Sequence, residues 1–245
     1  MSLARRPFLA FAAAGLLPFA RSAAAETLVK GSGIAGSQRR DVGSFIGVAL
    51  GAPFAVVLRP GPREAIDIVA DDNLLSLVQT RVEGIGGRRS LQIDLPRNTR
   101  IEARTPVVVT IDYVRIEGLA IGGSGSIAAS AMKAAKLDTA IGGSGKIDLV
   151  DLDAGKLTVT IGGSGTLRAD GKARALSVTV AGSGRCDAER LVASDVDVSV
   201  AGSGEARFRA EGTLSASIAG SGDVHHSGAA IPQVAIVGNG RIKRI

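Results

Sequence analysis

Short runs of alternating apolar and polar residues recur through the second half of the chain. One run is Leu157-Thr158-Val159-Thr160-Ile161, and a later one is Val196-Asp197-Val198-Ser199-Val200. Alternation with a period of two places the aliphatic side chains on one face of a strand and the polar side chains on the other. Because the runs are short, rich in β-branched residues and bounded by glycine, they predict β-strands rather than helices.

A Gly-Ser-Gly corner follows these runs at nearly constant spacing. The repeat is 18 to 20 residues long, and its corners end at Gly125, Gly145, Gly165, Gly184, Gly204 and Gly222, with a Gly-Asn-Gly variant ending at Gly240. A fixed coil length lets equivalent residues stack about 4.8 Å apart, and glycine permits the sharp bend between faces. The repeat therefore predicts an all-β fold, a parallel β-helix (β-solenoid) with coils of about 20 residues.

Alignment of the coils on the last glycine of each corner predicts which residues stack. One inward column holds Ile141, Ile161, Val180, Val200, Ile218 and Ile236. A second inward column holds Ile127, Ile147, Leu167, Cys186, Ala206, Val224 and Ile242. Cys186 is therefore expected to be a buried small apolar residue rather than a nucleophile. An outward column alternates in charge and predicts a ladder of surface ion pairs, and it holds Ala128, Asp148, Arg168, Asp187, Arg207, His225 and Lys243.

The first half of the mature chain is less regular. It has strand-like runs at Phe45 to Leu50, Phe54 to Leu58 and Val107 to Ile111, separated by Gly-Pro, Asp-Asn and Gly-Gly turns. We interpret residues 26–245 as one β-solenoid domain, in which residues 26–118 form longer, uneven N-terminal coils. Residues 119–245 form the regular coils.

Residues 1–25 have the features of a signal peptide. Arg5 and Arg6 precede an apolar stretch that is too short to span a bilayer, and three alanines lead to cleavage between Ala25 and Glu26. The order Arg5-Arg6-Pro7-Phe8-Leu9 resembles the twin-arginine pattern, although Ala4 stands where serine or threonine is usual, so ordinary secretory export stays open. The protein is therefore expected in the periplasm or at the cell surface.

Composition and charge exclude several classes of protein. Without residues 1–25, which carry three of the 29 basic residues, 26 basic residues face 23 acidic ones, and no basic stripe with aromatics indicates nucleic-acid binding. Cys186 is the only cysteine, so the chain forms no internal disulfide. No other long apolar segment follows the signal peptide, and we expect no integral membrane segment in the mature protein.

The sequence motifs that could bind a cofactor or a metal lack the neighbouring residues that such sites require. Residues Gly31 to Gly36 fit G-x-G-x-x-G, but the residues after them open no helix, so a dinucleotide site is not predicted. Gly142 to Ile147 resembles a calcium-binding nonapeptide, but Ile147 stands at the aspartate position. His225 and His226 are adjacent on a strand and face opposite ways, so they do not share a metal. We therefore predict no cofactor and no metal site.

The outer side of the alternating runs is the candidate binding face. It is expected to be flat, uncharged and rich in hydroxyl groups from Thr158, Thr160, Ser177, Thr179, Ser199, Ser215 and Ser217. Such a face would dock an envelope glycan or another protein; the alternative is a solvated sheet without a ligand. We predict a non-catalytic module. The competing hypothesis is a carbohydrate-active enzyme, a polysaccharide lyase or hydrolase, since Asp148, Asp151 and Asp153 cluster in one coil.

Several segments together suggest a family. They are the opening Arg40-Asp41-Val42-Gly43-Ser44-Phe45, the segment Asp72-Asn73-Leu74-Leu75, the regular Gly-Ser-Gly corners, and the closing Gly222-Asp223-Val224 and Gly238-Asn239-Gly240. With these features the chain resembles the putative auto-transporter adhesin, head GIN domain family, over nearly all of its mature length. The resemblance implies a right-handed β-helix that bacteria export, with an adhesin-like role in the cell envelope.

Overall fold

A computed structural model describes residues 26–85 and 88–245 of the chain. The predicted signal peptide, including Ala25 at the cleavage site, lies outside the described residues. The structure is 70% strand and 3% helix, and its strands form a β-solenoid of about 6 turns. The all-β solenoid predicted from the corner spacing is therefore confirmed.

The solenoid consists of parallel coils with a few antiparallel strands at its N-terminal end. Its one short 3-10 helix in the described chain is Asp72–Leu77. In chain order, strands β1 to β19 are Thr27–Lys30, Ala35–Arg40, Gly47–Leu50, Ala55–Pro60, Ala65–Asp71, Gln79–Ile85, Arg88–Asp94, Thr99–Glu102, Val108–Tyr113, Gly118–Ile121, Ser126–Ser130, Lys133–Ile141, Lys146–Ile161, Thr166–Gly182, Arg185–Gly202, Glu205–Gly220, Asp223–Ser227, Ile231–Gly238 and Arg241–Arg244.

From β10 onwards, successive coils lie parallel and in register. Ile161 pairs with Val180, and Val180 pairs with Val200, as the first predicted inward column requires. The second column is also aligned through Cys186. Both columns are almost fully buried in the middle of the solenoid, whereas Ile236 in the last coil is 41% exposed because only one neighbouring coil packs against it. The stacked aliphatic columns therefore form the hydrophobic core.

The N-terminal strands are not stacked in chain order. β3 lies between β7 and β10, and β4 lies between β9 and β11. The coil that contains β7 and β9 is thus farther from the regular coils than β3 and β4, although it follows them in the chain. Antiparallel β5 pairs with β2 and β9, and antiparallel β6 pairs with β7. These strands belong to the same 17-stranded sheet as the regular coils.

Two different constraints require glycine at the corners. At the last position, a Cβ on Gly145 would lie 2.5 Å from Ile121 Cγ2, so the inward aliphatic of the preceding coil excludes a side chain. At the position of Gly182, which has φ +123, the constraint is a left-handed backbone. The corners are linked by backbone hydrogen bonds, such as Ser164 N–H to Gly143 O at 3.1 Å.

Candidate binding surface

The predicted hydroxyl side chains stand in two parallel columns on one outer face of the solenoid. One column holds Thr158, Ser177, Asp197 and Ser215, and the other holds Thr160, Thr179, Ser199 and Ser217. All of these side chains are half-buried or exposed. The structure therefore brings the seven predicted residues together, and we call the outer side of these two columns the hydroxyl face.

The alternation of each run and the register between coils position this face. In the coil of Thr158 and Thr160, the intervening side chains of Leu157, Val159 and Ile161 are buried in the core. Because backbone hydrogen bonds join each coil to the next, the polar groups lie about 4.8 Å apart between coils and about 6.7 Å apart along a strand. The result is a rigid array of donors and acceptors.

The expectation of an uncharged face is wrong. Asp197 lies in the first hydroxyl column, between Ser177 and Ser215. Asp195 lies in the adjoining outward column, where it accepts a hydrogen bond from Thr213 Oγ1 at 2.8 Å. The sequence pattern placed aspartate among the outward polar residues but could not show that two carboxylates border the hydroxyls. The face therefore has an acidic centre.

The face is also not flat, because two grooves open on it. The first has a volume of ≈ 670 Å³, and its polar lining includes Lys156, Ser177, Asp195, Asp197, Thr213 and Ser215. The second has a volume of ≈ 640 Å³, and its lining includes Arg89, Glu117, Lys136, Asp138, Thr158 and Thr160. Hydroxyl and carboxylate groups line both grooves, together with apolar side chains.

The charged column on another face aligns as predicted, but its ion pairs are different. Asp148 pairs in register with Arg168, yet in the described residues its salt bridge is to Lys146, at 2.7 Å. Glu205, from the column two residues earlier, contacts Arg185 at 2.8 Å and Arg207 at 2.6 Å. Burial raises the pKa of Glu205, but these two arginines outweigh it and hold the pKa below its usual value. Ion pairs thus join two columns instead of forming one ladder.

The acidic residues of the enzyme hypothesis do not converge. Asp148 pairs with Lys146, whereas Asp153 contacts Lys172 at 3.2 Å beyond the next bend. Asp151 occupies that bend with φ 54. In the part of the chain that the structure describes, no group of three or more His, Cys, Asp or Glu side chains is arranged to hold a metal ion. This coil therefore does not favour the carbohydrate-active enzyme.

The thiol and the two histidines behave as the strand pattern predicts. Cys186 is 1% exposed, and burial, with a smaller effect of Asp187, raises its pKa to about 12. The thiol is therefore protonated at neutral pH and is not a nucleophile. His226 is buried and His225 is half-buried, so the two imidazoles face opposite sides of their strand. They do not form a shared metal site.

The G-x-G-x-x-G match has a structural role that the sequence did not reveal. Its opening loop, Gly31–Gly33, lies against the buried Asp71 carboxylate, which accepts hydrogen bonds from the N–H groups of Gly33 at 3.1 Å and Arg104 at 2.8 Å. Burial raises the pKa of Asp71, but hydrogen bonds from Arg104, Thr105 and Gly33 outweigh it and lower the pKa overall. The loop therefore belongs to a hydrogen-bonded cluster of Gly33, Asp71, Arg104 and Thr105, which we call the N-terminal clasp.

The stacked coils define the chain as a β-solenoid. Its family follows from the sequence, because the family model described as "Putative auto-transporter adhesin, head GIN domain" matches residues 44–230. The chain belongs to this family. Among curated proteins, none matches the sequence.

Solved structures share the fold along almost the whole chain. A putative adhesin from Bacteroides fragilis superposes with a TM-score of 0.81 at 22% identity, covering 89% of this chain and 100% of its own. A putative lipid binding protein from Parabacteroides distasonis gives a TM-score of 0.73 at 22% identity, with the same coverage of both chains. A putative adhesin from Parabacteroides merdae gives 0.67 at 19% identity, covering 89% and 99%. At these identities the likeness establishes the fold.

The described part of the chain holds no helix with the length and apolar character that a membrane crossing requires. The family and two of these neighbours carry an adhesin description. The chain is thus an adhesin-like module by family.

Proposed function

We propose that this protein is an exported, non-catalytic binding module of the bacterial cell envelope, and that its hydroxyl face binds a glycan. The observation that carries the proposal is the position of the two grooves, of ≈ 670 and ≈ 640 Å³, which both open on this face. Aligned hydroxyls alone would fit a solvated sheet, but concave sites in which a few polar groups converge among apolar side chains are the usual places where ligands bind.

The chemistry of the face favours a sugar polymer as the ligand. Its hydroxyl groups can donate to or accept from sugar hydroxyls, and its carboxylates accept hydrogen bonds from them. Because the solenoid backbone already fixes these groups, binding orders few side chains and loses little entropy. Ser177, Asp197 and Ser215 supply hydroxyl and carboxylate groups to the first groove, and these groups match a sugar better than they match a lipid chain.

Export is supported by the pattern of residues 1–25. The proposed cleavage site predicts that protein purified from the envelope fraction begins at Glu26. N-terminal sequencing would test this, and a mature protein that begins at Met1 would contradict export by cleavage.

The binding proposal is tested by placing lysines on the face. Thr160 and Thr179 are exposed and adjacent in neighbouring coils, so a Thr160→Lys/Thr179→Lys variant would fill the array with long charged side chains while the core stays intact. A matched control is Ser130→Lys/Ser194→Lys, at two exposed positions outside the hydroxyl face.

Retention of envelope polysaccharides by immobilised protein is the measurement. The proposal expects the hydroxyl-face variant to lose binding and the control to retain it, with both variants showing the circular-dichroism spectrum of the unmodified protein. Equal retention by all three proteins would rule out this face as the binding site.

A further inference from the structure

The direction and the charge of the first groove on the hydroxyl face restrict the class of ligand that it can bind. We propose that it binds a linear glycan strand lengthwise, along the solenoid axis, with a protonated sugar amine beside Asp195 and Asp197. This inference rests on the proposed function, and it adds the orientation, the length and the chemical class of the ligand.

The direction follows from the residues that line the groove. Lys156, Ala175, Asp195, Thr213 and Ile231 all line it, and each is the register partner of the next. The groove therefore crosses five successive coils at right angles to the strands. Four steps of about 4.8 Å give a length of about 19 Å, which suits a short oligosaccharide rather than a single sugar.

Side-chain size explains why a groove forms along this line. Gly212, Ala175 and Ala229 are the smallest residues of its lining, and Ser177, Thr213 and Ser215 are only slightly larger. The depression is therefore built from short side chains on coils whose backbone is fixed by the ladder between strands. A ligand strand lying in it meets a new polar group at almost every coil.

The charge of the groove is negative at its centre. Asp195 and Asp197 belong to the third of the five coils, and within the described residues neither forms a salt bridge. Lys156 lies at the end of the groove, and its charge acts on Asp138. Burial raises the pKa of Asp138, but hydrogen bonds from Lys136 and Thr158 outweigh burial, and the charge of Lys156 adds to this lowering of the pKa. The carboxylates at the centre are thus available to a ligand cation, and an ammonium group supplies both charge and hydrogen-bond donors.

The test compares two sets of oligosaccharides by titration calorimetry with the purified full-length protein. One set is β-linked glucosamine, which carries protonated amines, from the disaccharide to the hexasaccharide. The other set is the same series with every amine acetylated. We expect the amine series to bind more tightly, with an affinity that rises with length and levels off once the ligand spans the groove.

Neutralising the carboxylates gives the decisive variant. Asp195→Asn/Asp197→Asn keeps the shape of both side chains and is expected to weaken binding of the amine hexasaccharide about tenfold or more, as expected for a lost charge-assisted hydrogen bond. Binding of the acetylated series should change little. The matched control, Asp187→Asn/Glu189→Gln, removes the same charge from the same strand at positions outside the groove lining and should leave both affinities unchanged.

The outcomes separate this inference from the proposed function. If the Thr160→Lys/Thr179→Lys variant abolishes glycan binding but the Asp195→Asn/Asp197→Asn variant binds the amine series normally, the hydroxyl face is the site and the inference is wrong. Equal affinity for a disaccharide and a hexasaccharide would likewise rule out lengthwise seating. If neither series nor any envelope polysaccharide binds, the inference and the proposed function both fall.

Discussion

The last glycine of a Gly-Ser-Gly corner should be irreplaceable, whereas the glycine immediately before the same corner should tolerate alanine. In the corner that ends at Gly145, a Cβ on that residue would meet Ile121 Cγ2 at 2.5 Å and Gly125 O at 2.9 Å. Non-bonded carbon atoms normally lie about 3.5 to 4.0 Å apart. Gly145→Ala therefore forces the coil away from the core residue of the preceding coil.

The magnitude follows from the cost of overpacking a well-packed core. Extra atoms inserted into such a core cost about 1–3 kcal/mol, and the Gly145→Ala clash involves a backbone carbonyl as well as a side chain. We expect a loss of about 2–3 kcal/mol in the free energy of unfolding. For a domain of this size, that is a fall of roughly 4–12 °C in the unfolding midpoint.

Gly142→Ala, at the residue immediately before the same corner, is the matched control. The nearest atom to a Cβ at this position is Ile121 O at 3.8 Å, an ordinary contact. The positions that correspond to Gly142 in later coils hold Ala181, Ala201 and Ala219, so the fold already accepts alanine there. We expect this variant to be neutral or more stable by up to about 1 kcal/mol, because alanine restricts the unfolded chain.

Thermal unfolding followed by circular dichroism measures both variants. The reasoning requires a lower midpoint for Gly145→Ala and an unchanged or higher midpoint for Gly142→Ala. Equal midpoints for the two variants would show that the last glycine does not approach the preceding coil as closely as the structure places it. The register of the corners would then be wrong.

Three further predictions concern buried polar or titratable groups. Cys186→Ser should lower the free energy of unfolding by about 1–3 kcal/mol, because it buries a hydroxyl without a partner, and the native thiol should resist thiol reagents at neutral pH until the protein unfolds. Burial, and secondarily Arg244, lower the pKa of His226 below 6.5, so the free energy of unfolding should fall as the pH drops below that value. Denaturation measured as a function of pH should show a smaller fall for His226→Phe. Burial raises the pKa of Asp71, but hydrogen bonds outweigh it and lower the pKa. The contribution of Asp71 to the free energy of unfolding should therefore be present above pH 3.8 and be lost as the pH falls through the pKa of the folded state. An unchanged unfolding midpoint for Asp71→Asn at neutral pH would contradict its role in the clasp.

The regular coils could be predicted from the sequence because each coil repeats the same corner glycines and the same alternation of apolar and polar residues. The spacing of the corner glycines determined that Val180 lies beside Val200, and the alternation around them determined which side is buried. The hydroxyl columns followed from the same register. Local pattern and global fold agree in these coils, so one rule explained every coil.

The N-terminal coils could not be ordered from the sequence. β3 and β4 pair on both sides with later strands, and nothing in a strand-like run such as Gly47–Leu50 indicates which partners lie on either side. The antiparallel strands β2, β5 and β6 break the periodicity that defined the regular half. The clasp around Asp71 was hidden for the same reason, since Asp71 and its partners come from three separate parts of the chain.

The binding surface could be predicted only in part. The sequence located the hydroxyls from Thr158 to Ser217, but the grooves arise from differences in side-chain size between neighbouring coils. The alternation of the strand predicts that Asp195 and Asp197 lie on the same face. That they lie at the centre of a groove depends on the side chains of the neighbouring coils, which the strand pattern does not specify. Side-chain ion pairs such as Arg185–Glu205 depend on rotamers that a column pattern does not specify.

Hydrogen exchange of backbone amides, with and without a bound glycan, tests the central claim most directly. Binding at the hydroxyl face should slow exchange in the four segments 156–160, 175–179, 195–199 and 213–217, and should leave the segments that follow the corners, such as 146–150 and 205–209, unchanged. Protection confined to the segments after the corners, or spread evenly around each coil, would contradict binding at this face.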